Sequence, residues 1–237
     1  MIPDLPLAEL ARRYNNDETA PDWSQTLLPR WQRDGASLRS QAGGARDLAY
    51  GPKPRNRYDL FAPPGRAPDA GWPTFVFIHG GYWQELSKDD WSAIAAPFVR
   101  HGMAAAILGY TLCPENTVRG IAAEIVAAIA HLWHHAAELG VDRERLSLAG
   151  HSAGGHLTAC CLSEDWTRSQ LPATPFVRAA AISGIFDLEP LVPIYLNDAL
   201  KLTRDEALAM SPAYRERRVQ CEFIAAVGGA GLPGFLR

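Results

Sequence analysis

The chain has 237 residues, of which 47% are hydrophobic and 21% charged, the make-up of a globular domain large enough to bury a full core. Its formal net charge of −3 offers no electrostatic footprint for nucleic acid or for an anionic membrane, so a small molecule is the expected partner, with a homodimer left open.

The opening Met1-Ile-Pro-Asp-Leu-Pro6 has neither a basic nor an apolar stretch, and no uncharged apolar run approaches ~18 residues. A cytoplasmic protein without a membrane span is therefore expected. Residues 1–45 are polar, with a short helix predicted over Leu7–Tyr14 and a loosely periodic one over Asp22–Arg39. They read as a cap laid over the main domain, residues 46–237, at the entrance to a site. Asp47–Tyr50 and Arg57–Phe61 alternate around Gly51-Pro-Lys-Pro54 and predict an antiparallel strand pair. Thr74–Ile78 and Met103–Leu108 are continuous apolar runs of the kind buried on both sheet faces. Between them Asp89–Arg100 reads as a helix. Ile121, Ile125, Ile129 and Leu132 set a long amphipathic helix over Glu115–Leu139, with Gly140 placed as its C-terminal stop. There follow a strand at Leu146–Ala149, a helix at Ala153–Leu162, and a strand at Val177–Ser183. A helix at Thr203–Met210, capped by Thr203, and a strand at Cys221–Val227 complete the order. Strands alternating with helices predict a doubly wound, mostly parallel α/β sheet opened by an antiparallel pair.

Chemistry concentrates at two of the strand ends. Gly150-His151-Ser152-Ala153-Gly154 fits G-x-S-x-G, the elbow that holds a nucleophilic serine on a strained strand-to-helix turn. Glycines two residues either side of Ser152 let strand and helix approach without Cβ clashes. The strand Thr74–Ile78 runs into His79-Gly80-Gly81-Tyr82-Trp83, where a glycine pair frees backbone N–H groups to face a site. Gly81, Tyr82 and Ala153 are the expected oxyanion donors, each typically worth ~3–4 kcal/mol of barrier. Tyr82 and Trp83 read equally well as walls of an aromatic pocket or as core. His79 and His151 flank the site and read as structural histidines, with general base as the alternative. Asp187 reads as a brace of the Ser183–Pro190 turn, with a substitute triad acid as the alternative. His131, His134 and His135 share a helix face, read as solvated. The cysteines Cys113, Cys160, Cys161 and Cys221 form no C-x-x-C pair, so buried free thiols are expected, with no metal or cofactor.

His79-Gly-Gly-Tyr-Trp83 followed by Gly150-His-Ser-Ala-Gly-Gly155 resembles the kynurenine formamidase (arylformamidase) branch of the α/β-hydrolase fold. Arg13-Tyr-Asn15, Asp47-Leu-Ala-Tyr-Gly51, Leu60-Phe61 and Ser183-Gly-Ile-Phe-Asp-Leu-Glu-Pro190 carry the same likeness. The resemblance implies hydrolysis of an N-formyl aryl amide or a small ester through Ser152. It also implies an acid after Cys221–Val227 and a histidine base beyond it. Here the segment reads Val227-Gly-Gly-Ala-Gly-Leu-Pro-Gly-Phe-Leu-Arg237, with Gly231 and Gly234 where carboxylates are expected and no histidine after His156. The sequence thus reads as a member short of its final strand and helix, with Cys221–Val227 left as an apolar sheet edge. Two functions follow from this: a serine hydrolase with an unconventional base, or a hydrolase-like protein that keeps the elbow without turnover.

Overall fold

The computed structural model describes residues 5–229 and 231–236; Met1–Asp4 of the predicted cap, Ala230 and Arg237 lie outside them. Helices α1 (Leu7–Arg12) and α2 (Trp23–Gln41) lead into strand β1 (Gly43–Ala49), which starts four residues before the predicted Asp47. Next come β2 (Arg57–Ala62), β3 (Trp72–Ile78), α3 (Ala95–Arg100) and β4 (Ala104–Leu108). The order continues through α4 (Val118–His134), α5 (Ala136–Leu139), β5 (Val141–His151), α6 (Ala153–Leu162) and β6 (Arg178–Ile182). Helices α7 (Asn197–Leu200) and α8 (Arg204–Met210) precede β7 (Glu222–Ala226). The strands form one sheet in the order β1-β2-β4-β3-β5-β6-β7. β2 pairs antiparallel with both β1 and β4, and every pairing from β4 through β3, β5 and β6 to β7 is parallel.

The apolar runs of β3 and β4 are continuous because both of their faces are covered. Val76 and Ile78 point to the layer of α4 and α6, where Ile121, Ile125, Leu132 and Leu157 pack. Phe75 and Phe77, the alternate residues, meet Ala95, Phe98, Trp91 and Leu38 on the opposite side. The sheet therefore has a core on each face, and α2 supplies part of the second through Leu38.

Two helix predictions shift. The long helix starts at Val118 rather than Glu115, because the Thr117 hydroxyl accepts the Gly120 N–H at 3.0 Å and caps it there. It ends at His134, and α5 closes on Gly140 in the left-handed conformation (φ 66°). The predicted Asp89–Arg100 helix is a 3₁₀ turn at Ser92–Ile94 followed by α3. The helix over Thr203–Met210 is capped as expected, Thr203 Oγ accepting from the Glu206 N–H at 3.1 Å.

The histidine face of α4 is not solvated throughout. His131 and His135 are half-buried and stacked on each other at 4.1 Å, and His131 Nδ1 bonds the Tyr58 hydroxyl at 3.1 Å. Only His134 is exposed, with Nε2 donating to the Ser169 carbonyl at 3.0 Å.

A buried ion cluster ties α2 to the sheet. Asp59 on β2, fully buried, accepts from Arg39 of α2, from Lys88 Nζ at 3.0 Å, and from the Asp47 N–H at 2.8 Å. Lys88 also reaches Asp47 and Asp89, each at 2.7 Å. At the opposite end of the sheet, β7 pairs among the described residues with β6 alone, and most of it is exposed.

Candidate active site

The site forms where β3 and β5 end side by side. Ser152 stands alone between β5 and α6 with φ 55° and ψ −118°, a conformation that costs a non-glycine residue strain and is held only by its surroundings. Its N–H donates to the Ile182 carbonyl at 2.8 Å, and its carbonyl accepts the His156 N–H at 3.0 Å. The flanking glycines are required by close approach. A Cβ on Gly150 would fall on the Gly154 carbonyl, and one on Gly154 would stand 2.7 Å from the His79 carbonyl oxygen and nearer still to that of Ile78. The serine side chain is thereby held at the N-terminus of α6, where the helix dipole is positive.

The loop after β3 faces it. Gly81, Tyr82 and Trp83 all have positive φ (115°, 46° and 59°). The Gly81 carbonyl is turned back to accept the N–H groups of Gln84 (2.8 Å) and Glu85 (3.0 Å). Among the described residues, no hydrogen bond uses the N–H of Gly81 or Tyr82. Ala153 is the first residue of α6, so its N–H has no acceptor within the helix. Gly80 sits against the elbow itself, where a Cβ would lie 3.2 Å from Ser152 Cβ.

Ser152 and His151 line a cavity of about 300 Å³. Its other walls come largely from residues that the sequence did not single out. Trp23, Leu27 and Trp31 of α2 and Trp91 line it, with Glu85, Val227 and Phe235. Trp31 lies 5.2 Å from Trp91, and Trp91 lies 5.3 Å from the His151 ring, so aromatic rings run from α2 to the elbow. Tyr82 and Trp83 are core, not pocket. Tyr82 is buried with its hydroxyl donating to the Tyr14 carbonyl at 2.6 Å, and Trp83 packs edge-on against His156 at 5.0 Å.

The three buried or half-buried histidines near the elbow have different duties. His79 is fully buried, stacked on Tyr110 at 4.1 Å, and its Nδ1–H donates to the Gly80 carbonyl at 2.7 Å. His156 donates from Nε2 to the Met210 carbonyl at 2.7 Å. Burial pushes the pKa of each down to about 4, so both are neutral structural rings. Burial also lowers the pKa of His151, which shares the cavity with Ser152. Asp187 braces its turn: one carboxylate oxygen accepts the Glu189 N–H at 3.1 Å and the other the Tyr214 hydroxyl at 3.0 Å. Gly231 lines the cavity, and its N–H donates to Gly228 at 2.8 Å. Gly234 packs on the N-terminal segment, where a Cβ would stand 2.6 Å from the Arg13 carbonyl oxygen and 2.7 Å from the Tyr14 ring. A carboxylate there has no room.

Burial raises the Cys160 thiol to about 12 and Cys161 well above its usual value, which makes both unreactive. Among the described residues no group of three or more His, Cys, Asp or Glu could hold a metal ion. None of the described helices is long and apolar enough to cross a membrane.

A family model described as BD-FAE matches residues 58–177, the stretch that carries the loop after β3 and the elbow. The chain belongs to the BD-FAE family. This BD-FAE chain is 32% identical over 195 residues to a kynurenine formamidase of Danio rerio and 31% identical to that of Salmo salar. Each alignment covers 80% of the chain and 64% of the relative's length, so the chain spans under two thirds of those proteins. A crystal structure of a candidate thioesterase from Silicibacter sp. TM1040 superposes with a TM-score of 0.81 at 35% identity, covering 96% of this chain and 83% of the other. Esterase B of Lactobacillus rhamnosis shares the fold, with a TM-score of 0.70 at 21% identity over 89% and 74% of the two chains. The BD-FAE chain is thus an α/β-hydrolase similar to kynurenine formamidases.

Proposed function

We propose that the chain is a serine hydrolase that cleaves a small N-formyl aryl amide, such as N-formylkynurenine, or a small carboxylic ester. The observation that carries this reading is Ser152, strained on its elbow, lining an aromatic cavity and flanked by N–H groups that no described residue accepts. Ser152 Oγ attacks the acyl carbon, and the developing oxyanion takes hydrogen bonds from the N–H groups of Gly81, Tyr82 and Ala153. The C–N or C–O bond then breaks, the amine or alcohol departs with a proton, and water releases the acyl group from Oγ as formate or a carboxylate. The cavity's size, at the lower end for small-molecule sites, suits one ring and a short acyl group.

Serine also needs a proton acceptor. His79 and His156 commit an N–H to a backbone carbonyl, whereas His151 lines the cavity in its neutral form. Gly231 lines the cavity and Gly234 leaves no room for a carboxylate, so neither supplies an acid to orient a histidine. That observation favours the second reading, a cavity that binds its ligand with little turnover. Rates on N-formylkynurenine and p-nitrophenyl acetate, measured beside Ser152→Ala, separate the two. A hydrolase loses turnover of at least one compound in the variant; equal rates for both proteins on both compounds leave only the binding role.

A further inference from the structure

The charge on the cavity walls narrows the substrate class, an inference that rests on the hydrolase reading of Ser152. Trp23, Trp31 and Trp91 present indole rings whose faces carry negative potential. Among the described residues that line the cavity, Glu85 is the one charged side chain, and none is Lys or Arg. The Glu85 N–H donates to the Gly81 carbonyl at 3.0 Å, which fixes this residue beside the loop that offers the oxyanion donors. Glu85 is exposed, and partial desolvation together with the charge of Asp17 raises its pKa. Glu85 therefore brings an exposed carboxylate to an aromatic cavity, and among the described residues no ion pair involves it.

We infer that the site selects substrates whose leaving group carries an ammonium or quaternary amine and rejects those that carry a carboxylate in its place. An ammonium group is attracted to the indole faces and supplies Glu85 with a counter-ion. A carboxylate meets the same faces and the same anion, with no lysine or arginine among the described lining residues to offset them. N-formylkynurenine carries both groups, so its decarboxylated amine analogue, N-formylkynuramine, is the better substrate of the two.

The test reads binding first, because binding needs no turnover. Calorimetric titration of the whole chain with phenyltrimethylammonium and with benzoate should give about fivefold tighter binding of the cation, the upper end for a partly exposed cation–π contact. Glu85→Gln should narrow that ratio at least about threefold, and Glu85→Lys should narrow it further or reverse it. If the lysine variant does not fold, the near-isosteric glutamine variant decides. Benzoate binding as tightly as the cation, or a ratio unmoved in folded Glu85→Gln, overturns the inference. Hydrolysis of N-formylkynuramine and N-formylkynurenine keeps this apart from the function itself. Cation-selective binding without Ser152-dependent turnover of either compound would remove the hydrolase reading and leave the selectivity of the cavity standing. Turnover of both without preference for the amine would remove the selectivity and leave the hydrolase.

Discussion

Replacing Gly154 by alanine tests whether the elbow is held by backbone contact. The new Cβ would stand 2.7 Å from the His79 carbonyl oxygen and closer to that of Ile78, both belonging to the end of β3. Overpacking where side chains can give way costs ~1–3 kcal/mol, and here the neighbours are main-chain atoms at the end of a central strand. The cost therefore lies at the upper end, ~3 kcal/mol. The better helix propensity of alanine in α6 offsets at most ~1 kcal/mol, which leaves a net loss of ~2 kcal/mol. For a chain of this size each kcal/mol moves the melting temperature by ~2–4 °C, so Gly154→Ala should melt ~4–8 °C lower. Differential scanning calorimetry measures this, with urea unfolding followed by circular dichroism as the check. Gly43→Ala is the control: its Cβ would meet the Ala62 carbonyl oxygen at 3.5 Å, an ordinary contact, and should change stability by less than ~0.5 kcal/mol. A Gly154→Ala protein melting within ~1 °C of the parent would refute the reasoning, since the elbow would then have slack that the geometry denies.

Acid should destabilise the protein well before its carboxylates titrate. His79 and His156 have folded-state pKa values of about 4, below the ordinary 6.5. The unfolded chain therefore binds more protons between those values, and stability falls as pH drops from 6.5 toward 4, by up to ~1.4 kcal/mol per unit for each ring. Urea midpoints measured from pH 7 to 4.5 should decline, and His156→Gln should flatten the slope; a level profile contradicts the burial of both rings. Asp59→Asn should cost ~3 kcal/mol in urea unfolding, because it leaves Arg39 and Lys88 beside a neutral buried group. A loss below ~1 kcal/mol would show that the cluster is solvated. Trp31→Ala removes an aromatic wall of the cavity, 5.2 Å from Trp91, and should raise KM about tenfold with a smaller change in kcat. An unchanged KM would place substrate elsewhere.

The fold was legible because its signals were local. Thr74–Ile78 and Met103–Leu108 read as buried strands from their unbroken apolar runs, and both lie at the centre of the sheet. The elbow was legible for the same reason, since Gly150, Ser152 and Gly154 must be close in sequence to make one turn. The walls of the cavity were not. Trp23, Leu27 and Trp31 sit on α2, whose apolar residues show only loose periodicity, and they meet Trp91 and Ser152 through tertiary packing that no spacing records. Asp59, Arg39 and Lys88 likewise come from three separate segments. Tyr82 and Trp83 illustrate the converse. Their place in the motif allowed either pocket or core, and the three positive φ values at 81–83 turn both side chains inward. Gly231 and Gly234 stand where the resemblance implies carboxylates; the contact of Gly234 with Arg13 and Tyr14 shows that a side chain there would displace the N-terminal segment.

The proposed nucleophile, Ser152, should carry the acyl group during turnover, where it can be trapped. Rapid acid quench during p-nitrophenyl acetate turnover, followed by peptide mass mapping, should find the acetyl group on the peptide containing Ser152 and nowhere in Ser152→Ala. Turnover with that peptide unmodified, or an adduct that persists at another residue in Ser152→Ala, would contradict the account.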